Sequence, residues 1–237
     1  MRIEKIEKVI LDFFFPKRCA ICDGVIAGEK GICSICEKDI RLLTGPTCMI
    51  CGKKLEKEEA YCFDCSRKKH YFIRNFSVFE YPVIRESLYG FKYRGRAEYA
   101  RYYAKEAYRL HGKRLMQLNA DALIPVPLHK SRYRKRGYNQ AYEFARELSG
   151  LIQVPVKDDF IIRKKSTKAL KKLDVEGRQN NLKKAFLIMQ NDVKLKTIIL
   201  VDDIYTTGAT LDEISRVCKE SGVENIYSLT VAVGNGL

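Results

Sequence analysis

Four C-x-x-C pairs in the first 65 residues place the strongest constraint on how this chain can fold. The pairs are Cys19 and Cys22, Cys33 and Cys36, Cys48 and Cys51, and Cys62 and Cys65. The first two pairs map onto the last two by a constant shift of 29 residues, so the segment is an internal duplication. Each half reads C-x2-C-x10-C-x2-C with Gly24 or Gly52 just after its first pair, the spacing of two zinc knuckles. The direct interpretation is two structural zinc ions, each held by four thiolates.

Disulfides and redox sites are the alternatives for such pairs. Four disulfides require an oxidising compartment, but the apolar run at residues 9–15 is interrupted by Asp12 and lacks a small-residue cleavage site, so no export signal is expected. Four pairs in register favour ligand geometry over one reactive thiol pair. So small a module cannot build an adequate core unaided, and metal binding, worth roughly 10 to 16 kcal/mol per site, would supply most of its folding free energy. The spacing leaves open whether each half closes its own site or the first pair joins the third.

Apolar spacing gives three further expectations. An N-terminal helix that packs, rather than one lying on a membrane surface, is predicted by Ile3, Ile6, Ile10 and Phe13. No apolar stretch approaches the ~18 residues needed to span a bilayer, so we expect a cytoplasmic protein. The ninth cysteine, Cys218, follows Leu211 and Ile214 on one face of a predicted helix, and core packing is its expected role.

An acidic strand end lies at residues 198–210, Ile-Ile-Leu-Val-Asp-Asp-Ile-Tyr-Thr-Thr-Gly-Ala-Thr. The β-branched run predicts a strand buried on both faces, with Asp202 and Asp203 at its carboxyl end, where open α/β sheets bind ligands. A diol fits these carboxylates. Hydroxyls and unobstructed backbone N–H groups at a helix N-terminus then favour a phosphate, at Thr206, Thr207, Gly208, Ala209 and Thr210. The segment predicts a sugar-phosphate site, although an ordinary strand followed by a capped helix would look similar.

The formal net charge of +15 lies mostly in residues 71–237, which implies a polyanionic partner: a diphosphate, a nucleic acid or both. Basic residues concentrate in a turn at residues 91–96, a loop from Pro127 that leads into a helix ending near Ser149, and an aperiodic stretch at residues 163–172. Each segment could equally be a solvated surface. The cations expected to contact nucleic acid are Lys92, Arg94, Arg132, Arg134, Lys135 and Arg136.

Hydrophobic patterning predicts an α/β fold with a mainly parallel sheet. Strands are expected near residues 76–81, 122–126, 160–163, 185–189, 197–201 and 225–233, with helices covering residues 84–118. The chain then divides into residues 1–70, an N-terminal helix with the duplicated cysteine module, and residues 71–237, the α/β domain.

Residues 198–210 resemble the phosphoribosyl diphosphate (PRPP) signature of type I phosphoribosyltransferases. The order of motifs along nearly the whole chain is similar to that of the ComF family of competence proteins, ComFC type. These motifs are the paired cysteines, Phe-Lys-Tyr-Arg-Gly, Pro-Val-Pro-Leu-His, Arg-Gly-Tyr-Asn-Gln-Ala, Arg178 with Asn181 before Ala185-Phe186, and Val-Asp-Asp-Ile-Tyr-Thr-Thr-Gly-Ala-Thr. The resemblance implies a phosphoribosyltransferase-like fold and a role in DNA uptake during natural transformation, with a competence DNA helicase as partner.

This resemblance also implies a donor site. Asp202 and Asp203 would orient the ribose of PRPP, residues 206–210 its 5′-phosphate, and Mg²⁺ would accompany the diphosphate. The diphosphate loop corresponds to Pro127, Leu128, His129 and Lys130, and a flexible loop that closes over the site corresponds to Arg163, Thr167, Lys168 and Arg178. Asp202, Asp203 and Lys130 are the implied catalytic residues, because Lys130 could neutralise the leaving diphosphate.

Two positions depart from the patterns of these families. The ComF family usually has a glutamine in the flexible loop after Thr167, about where Leu170 stands, which weakens a base-recognition role for that loop. In purine-salvage phosphoribosyltransferases an aspartate opens the phosphate loop, and here that position is Thr206. The chain lacks that acid/base group, so His129 and His111 are the candidate bases.

Two other classes of function fit the same residues. In the first, the PRPP pocket is kept for sensing or for the fold, while the basic loops and Tyr93, Tyr133 and Tyr138 bind single-stranded DNA by phosphate neutralisation and base stacking. In the second, the protein is an adaptor whose zinc module docks a helicase or a membrane channel complex. The acceptor of any phosphoribosyl transfer stays open.

Overall fold

The computed structural model describes residues 16–28, 30–164, 185–189 and 194–234. The predicted N-terminal helix and the flexible-loop residues Thr167, Lys168 and Arg178 lie outside the described residues. The helices are α1 (Ser34–Asp39), α2 (Phe63–Arg67), α3 (Tyr81–Tyr93), α4 (Tyr99–Gln117), α5 (Lys130–Arg136), α6 (Gln140–Ile152) and α7 (Ala209–Glu220). The strands are β1 (Arg74–Glu80), β2 (Ala122–Pro125), β3 (Ile161–Arg163), β4 (Phe186–Ile188), β5 (Thr197–Tyr205) and β6 (Asn225–Val233).

Four strands form one parallel sheet in the order β1-β6-β5-β2, which confirms the predicted fold class. The β2–β5 ladder ends where Pro125 lies opposite Val201, but β5 continues to Tyr205 because β6 still pairs with it. Asp202 and Asp203 therefore lie within β5, past the end of β2, rather than after the strand as predicted. Along this extension β5 pairs with no strand on its β2 side among the described residues, and we call the space there the crevice.

The strands predicted near residues 160–163 and 185–189 form a separate sheet. β3 and β4 pair antiparallel, with Ile161 opposite Ile188 and Arg163 opposite Phe186. Phe160, Ile161 and Phe186 are buried in the same core as α7. Arg163 is thereby fixed at the end of β3, on the flank of the main sheet.

Glycines divide the helical and basic segments. The helices predicted over residues 84–118 are α3 and α4, separated near the predicted basic turn, in which Gly95 has φ +69°. The basic loop predicted after Pro127 contains helix α5 instead. The side chain of His129 caps α5 by accepting a hydrogen bond from the Ser131 N–H at 3.2 Å, and Gly137, with φ +81°, ends it. No helix within the described ranges is long and apolar enough to cross a membrane.

The eight paired cysteines form two separate clusters, so each half closes its own site. Within each cluster the four sulfur atoms all lie within 4.8 Å of one another; the clusters are Cys19, Cys22, Cys33 and Cys36, and Cys48, Cys51, Cys62 and Cys65. Backbone N–H groups point at the sulfurs, as from Cys33 to Cys19 Sγ at 3.3 Å and from Lys53 to Cys51 Sγ at 3.4 Å. Four converging thiols with such donors suit a tetrahedral Zn²⁺ site. We call residues 19–36 the first zinc module and residues 48–65 the second.

The two zinc modules lie on opposite faces of the sheet. Ala20 of the first module is buried with α3 and α4, whereas the cysteines of the second are buried with Ile214 and Cys218 of α7, where Cys218 packs in the core as predicted. The segment between the modules runs along edge strand β1, where Leu43 donates its N–H to the Val78 carbonyl at 2.8 Å. Asn75 of β1 donates its N–H to the Ile50 carbonyl at 2.6 Å. The duplicated module therefore covers an edge that would otherwise expose unpaired backbone groups.

The duplication brings Asp23 and Gly52 to equivalent positions, and both are left-handed, with φ +61° and +73°. Asp23 is anchored by Arg96 Nε at 2.8 Å and by the Tyr99 hydroxyl at 2.5 Å. A Cβ at Gly52 would lie 2.9 Å from the Asn75 carbonyl oxygen, so a side chain is excluded there. The same backbone turn therefore contacts the start of α4 in the first module and strand β1 in the second.

We expect Gly52→Ala to lower the free energy of unfolding by about 1 to 3 kcal/mol, because alanine would be strained at positive φ and would press on β1. Gly150→Ala in α6 is the matched control. A Cβ there meets no atom within 4 Å, so this change should be neutral or stabilising by up to about 1 kcal/mol. Denaturant unfolding measures both, and equal effects would contradict the predicted contact.

Cys36→Ser and Cys65→Ser should each reduce zinc content from two ions per chain to one, because the clusters are separate. Only Cys65→Ser should also speed amide hydrogen exchange at Asn75, whose N–H donates to the second module. Elemental analysis and hydrogen exchange provide the two measurements. Loss of both metals from either variant would contradict independent sites.

Candidate functional site

An ion pair lies at the acidic end of β5. Lys92 Nζ, near the end of α3, lies 2.8 Å from Asp203 Oδ1, and both side chains are largely buried. Asp202 lies on the opposite side of the strand, and its Oδ1 accepts the Asp203 N–H at 2.8 Å. The structure therefore brings Lys92, predicted as a nucleic-acid contact, into the crevice with the acid pair.

The pKa of Asp202 is raised to about 7 by burial and by the neighbouring charge of Asp203. The Asp203 N–H, Lys92 and Arg163 partly offset this rise. Carboxyl groups with such perturbed pKa values cluster at binding and catalytic sites. A ligand that brings hydroxyls or a cation to this carboxyl would stabilise its charged form.

Two side chains hold the end of α3 in place. Tyr138 and Gln140, from the Arg-Gly-Tyr-Asn-Gln-Ala segment, both donate hydrogen bonds to the Phe91 carbonyl, Gln140 Nε2 at 3.3 Å. Gln140 Oε1 in turn accepts from Arg136 at 2.7 Å. Because Phe91 directly precedes Lys92, these bonds set the position of the ammonium group at Asp203. Tyr138, predicted as a stacking residue, is instead half-buried and used in this anchor.

Further cations lie near the acids. Burial and the positive charge of Arg132 lower the pKa of Arg163 to about 10, and Asp202 partly offsets that shift. Holding two guanidinium groups this close is unfavourable unless an anion lies between or beside them. Arg132 belongs to α5 and Arg163 to β3, so two elements that flank the crevice direct positive charge toward β5.

The predicted diphosphate loop follows β2, the strand next to β5. Pro127, Leu128 and His129 are half-buried, and Lys130 is exposed as the first residue of α5. His129 Nδ1 accepts a hydrogen bond from the Ser131 N–H at 3.2 Å and lies 2.8 Å from the Ser131 hydroxyl oxygen. The loop therefore lies at the same sheet edge as the acids, with His129 serving as a helix cap.

The predicted phosphate turn connects β5 to α7. Gly208 has φ +73°, and Tyr205 lies where a Cβ on Gly208 would be, so only glycine fits. Asp212 donates its N–H to the Gly208 carbonyl at 2.8 Å, which starts the helix. Thr206 is exposed, and Thr207, Ala209 and Thr210 are half-buried, so the turn is open to a ligand.

The turn is also joined to the second zinc module. His70 Nδ1 lies 2.9 Å from Asp212 Oδ2, the Tyr71 N–H donates to Oδ1 at 3.2 Å, and Lys68 Nζ lies 2.9 Å from Oδ2. Lys68 also reaches the Thr207 carbonyl at 3.4 Å. Burial alone would raise the pKa of Asp212, but the hydrogen bond and charge of His70, with Lys68, hold it below its usual value. Sequence reasoning missed His70, since its partner is 142 residues away; its only signal was its place between the last cysteine pair and β1.

His111, the other predicted base, lies away from the crevice. Its Nε2 is 2.8 Å from the Ser77 carbonyl of β1, which is the opposite edge of the sheet from β2. Burial lowers its pKa, and the neighbouring Arg114 and Arg74 act in the same direction. A histidine in this position packs against β1 and does not meet the acids.

An exposed cluster of tyrosines and arginines lies beside the crevice. Tyr89 and Tyr93, one turn apart on α3, have ring centroids 5.0 Å apart, and each is about half exposed. Arg94 lies over Tyr89 at 5.1 Å and Arg136 over Tyr93 at 5.0 Å. Tyr133, Arg134 and Lys135 are exposed on the outer side of α5. The structure therefore brings Arg94 and Arg136 together with two aromatic rings, of which Tyr89 was not predicted.

Two family models match the chain. A double zinc ribbon domain matches residues 10–66, and a phosphoribosyl transferase domain matches residues 134–236. The first range contains both cysteine clusters, and the second contains β5, the acid pair and the turn before α7. Both matches agree with the observed architecture.

Curated relatives match over nearly their full length. Competence protein F of Haemophilus influenzae is 33% identical over 220 residues, 90% of this chain and 95% of the relative. Competence protein ComFC of Bacillus subtilis is 29% identical, covering 86% of this chain and 89% of its own, and DNA utilization protein YhgH of Escherichia coli K12 is 29% identical, covering 87% and 92%. With its two cysteine clusters and its parallel sheet, the chain belongs to the ComF family of competence proteins.

Proposed function

We propose that this protein binds PRPP, as its magnesium complex, in the crevice beside β5, and that it acts on single-stranded DNA during DNA uptake. The observation that carries the proposal is the position of the acid pair. Asp202 and Asp203 lie on the part of β5 that extends past β2, a few residues before the open turn at Gly208. Adjacent carboxylates suit a ribose diol, and the turn suits a 5′-phosphate.

The charges around the crevice suit the rest of PRPP. Lys130, Arg132 and Arg163 supply positive charge on the β2 side of the acids, where a diphosphate attached to the ribose would lie. Such cations would stabilise the charge that develops on a departing diphosphate. The flexible-loop residues Thr167, Lys168 and Arg178 remain a prediction from the family resemblance.

The link to DNA uptake rests on the relatives. Two of them are named competence proteins and a third a DNA utilization protein, and each spans most of this chain. A competence DNA helicase as partner, cytoplasmic location and an adaptor role for the zinc modules are proposed from the family resemblance alone.

The tyrosine–arginine cluster favours a second activity, binding of single-stranded DNA. Tyr89 and Tyr93 offer half-exposed rings, and Arg94, Arg134, Lys135 and Arg136 offer phosphate contacts around them. Rings flanked by guanidinium groups are what sequence-tolerant single-strand binding uses. Because Lys92 on the same helix contacts Asp203, a strand bound here would run close to the proposed PRPP site.

Binding of isotope-labelled PRPP to the full zinc-loaded chain tests the first part of the proposal. We expect saturable, magnesium-dependent binding that Asp202→Asn with Asp203→Asn abolishes. Zinc content and the circular dichroism spectrum serve as folding controls. PRPP affinity that survives the double substitution would refute the ribose assignment.

Asp202→Asn should lose affinity for PRPP but gain stability. The raised pKa of Asp202 means that its ionisation destabilises the fold as pH rises toward about 7, and asparagine carries no such cost. The variant should therefore gain about 1 kcal/mol in unfolding free energy over the wild type between pH 6 and pH 7, with a plateau above. Glu86→Gln, at an exposed carboxylate, is the control and should show no such pH dependence. A stability difference independent of pH would contradict the predicted ionisation.

For DNA binding, Tyr93→Ala should weaken the affinity for an oligothymidylate by about 5- to 100-fold, while Tyr93→Phe keeps the ring and should bind nearly as wild type. Tyr108→Ala, an exposed tyrosine of α4, is the matched control. Arg134→Gln with Lys135→Gln should reduce the slope of log K against log salt by about 0.7 per lost phosphate contact. Fluorescence anisotropy measures all four, and salt-insensitive binding would refute this activity.

A further inference from the structure

The two zinc modules differ in how far solvent reaches their sulfur atoms. In the first module Cys19 is buried, Cys33 and Cys36 are half-buried and Cys22 is exposed, whereas all four cysteines of the second module are buried. Zinc keeps its cysteine ligands as thiolates, and oxidants react with the thiolates that solvent reaches. An oxidant in solution would therefore meet the first module before the second.

Two cysteines of the first module lie close enough to form a disulfide. The Sγ atoms of Cys22 and Cys33 are 3.9 Å apart, and an S–S bond of about 2 Å would need only a small approach of the two side chains. The equivalent sulfurs of the second module, those of Cys51 and Cys62, are 3.6 Å apart but buried. Both modules thus have the proximity, and only the first has the access.

The first module is joined to α3 and α4 by two polar contacts. The Ser87 hydroxyl of α3 donates to the Ala20 carbonyl, and the Tyr99 hydroxyl of α4 donates to Asp23 at 2.5 Å. Ala20 and Asp23 lie on either side of Cys22 in the chain. Both contacts therefore depend on the turn that Cys22 holds in place as a metal ligand.

The same contacts restrain the part of α3 that carries Lys92. Ile84 departs from helical geometry, with φ −123° and ψ 21°, so α3 is kinked there and residues 85–93 form a separate segment. The Tyr99 ring packs against this segment at Gly90, where an added Cβ would lie 3.4 Å from Tyr99 Cε2. The first module thus fixes, from one side, the segment that places Lys92 in the crevice.

We propose that the first zinc module is an oxidation-sensitive switch for the crevice. When a peroxide oxidises Cys22 and Cys33, residues 85–93 lose their support and Lys92 moves away from Asp203. The inference rests on the proposed PRPP function. Lys92 compensates the negative charge of the acid pair, so its departure leaves the crevice less attractive to a polyanion such as PRPP. The second module, packed on α7 and β1, keeps the sheet in place.

The reaction is the reduction of one peroxide by two cysteine sulfurs. The Cys22 sulfur attacks an oxygen of hydrogen peroxide, so that an S–O bond forms and the O–O bond breaks. The Cys33 sulfur then attacks the Cys22 sulfur, so that the S–S bond forms and the S–O bond breaks. Two electrons pass to the peroxide, and two protons from solvent complete two waters. The module loses two of its four ligands, and its turn unfolds because metal binding supports so small a fold.

Graded treatment of the full, zinc-loaded chain with hydrogen peroxide tests the switch. A chromogenic chelator should register the first zinc ion about tenfold or more faster than the second. Peptide mass spectrometry should find Cys22 joined to Cys33 while the cysteines of the second module stay reduced, and a thiol reductant with added zinc should reverse the change. Equal release of both ions, or a first disulfide in the second module, would overturn the proposal.

The link to α3 is tested without oxidant. Ser87→Ala should keep two zinc ions, yet it should speed amide hydrogen exchange at residues 85–93 and weaken PRPP binding by about fivefold, the effect of one lost hydrogen bond. The matched control is Ser221→Ala in the last turn of α7, where the hydroxyl donates to the Val217 carbonyl at 3.1 Å. This control should change neither measurement, and the peroxide-treated wild type should show the same faster exchange as Ser87→Ala.

The outcomes separate the switch from the proposed function. Unchanged exchange at residues 85–93 after loss of the first zinc ion would overturn the switch, whether or not PRPP binds. Unchanged PRPP affinity after that loss would overturn it as well. If the segment responds to oxidation but the untreated wild type fails to bind PRPP, the proposed function alone is refuted.

Discussion

The position of two adjacent carboxylates on a partly buried strand is the constraint around which this protein is arranged. Asp202 and Asp203 lie on the part of β5 that extends past the end of β2, so that β6 is the one strand of the main sheet that pairs with β5 there. Unpaired buried charge is costly, and the structure offsets it from both faces: Lys92 pairs with Asp203 on one, and Arg163 acts on Asp202 on the other. The hydrogen bonds from Tyr138 and Gln140 to the Phe91 carbonyl serve the same arrangement, because they fix the end of α3 that carries Lys92.

The zinc modules contribute to this arrangement through the opposite edge of the sheet. β1 would be a free edge, and the segment joining the modules covers it, so that one module packs on each face. A buried polar chain continues inward from the second module: Asn75 Nδ2 donates to the Cys51 carbonyl at 2.9 Å, and the Ser77 hydroxyl lies 2.8 Å from that of Thr230. Thr230 is the register partner of Asp202. The second zinc module and the acid pair are therefore connected by side-chain hydrogen bonds and strand pairing across β1, β6 and β5.

The sequence predicted the features that are encoded by local pattern and left out those that depend on contacts between distant segments. Cysteine spacing identified both clusters, and the β-branched run with its acids and glycine identified β5 and its turn, because each is a local signal. The extent of β5 was missed because it depends on β6, which continues the ladder past Pro125. Helix α5 was expected to be a loop, and the His129 cap and the terminal Gly137 decide the outcome. Lys92 and His70 acquire their partners only through the tertiary fold, so Lys92 was predicted to contact nucleic acid rather than Asp203, and His70 was not predicted at all.

The internal duplication places the same cysteine scaffold in two different surroundings. Both modules keep the four cysteines and the left-handed turn after the first pair, since the metal requires them. Elsewhere they differ: Asp23 makes polar contacts where Gly52 allows close packing on β1, and Phe63 and Arg67 stand where the first module has Ser34 and Lys38. The differences concentrate on the side where the second module meets α7 and the glycine turn. Phe63, with the Arg67 guanidinium 4.0 Å from its ring centroid, thus distinguishes the second module from the first beside the turn that precedes α7.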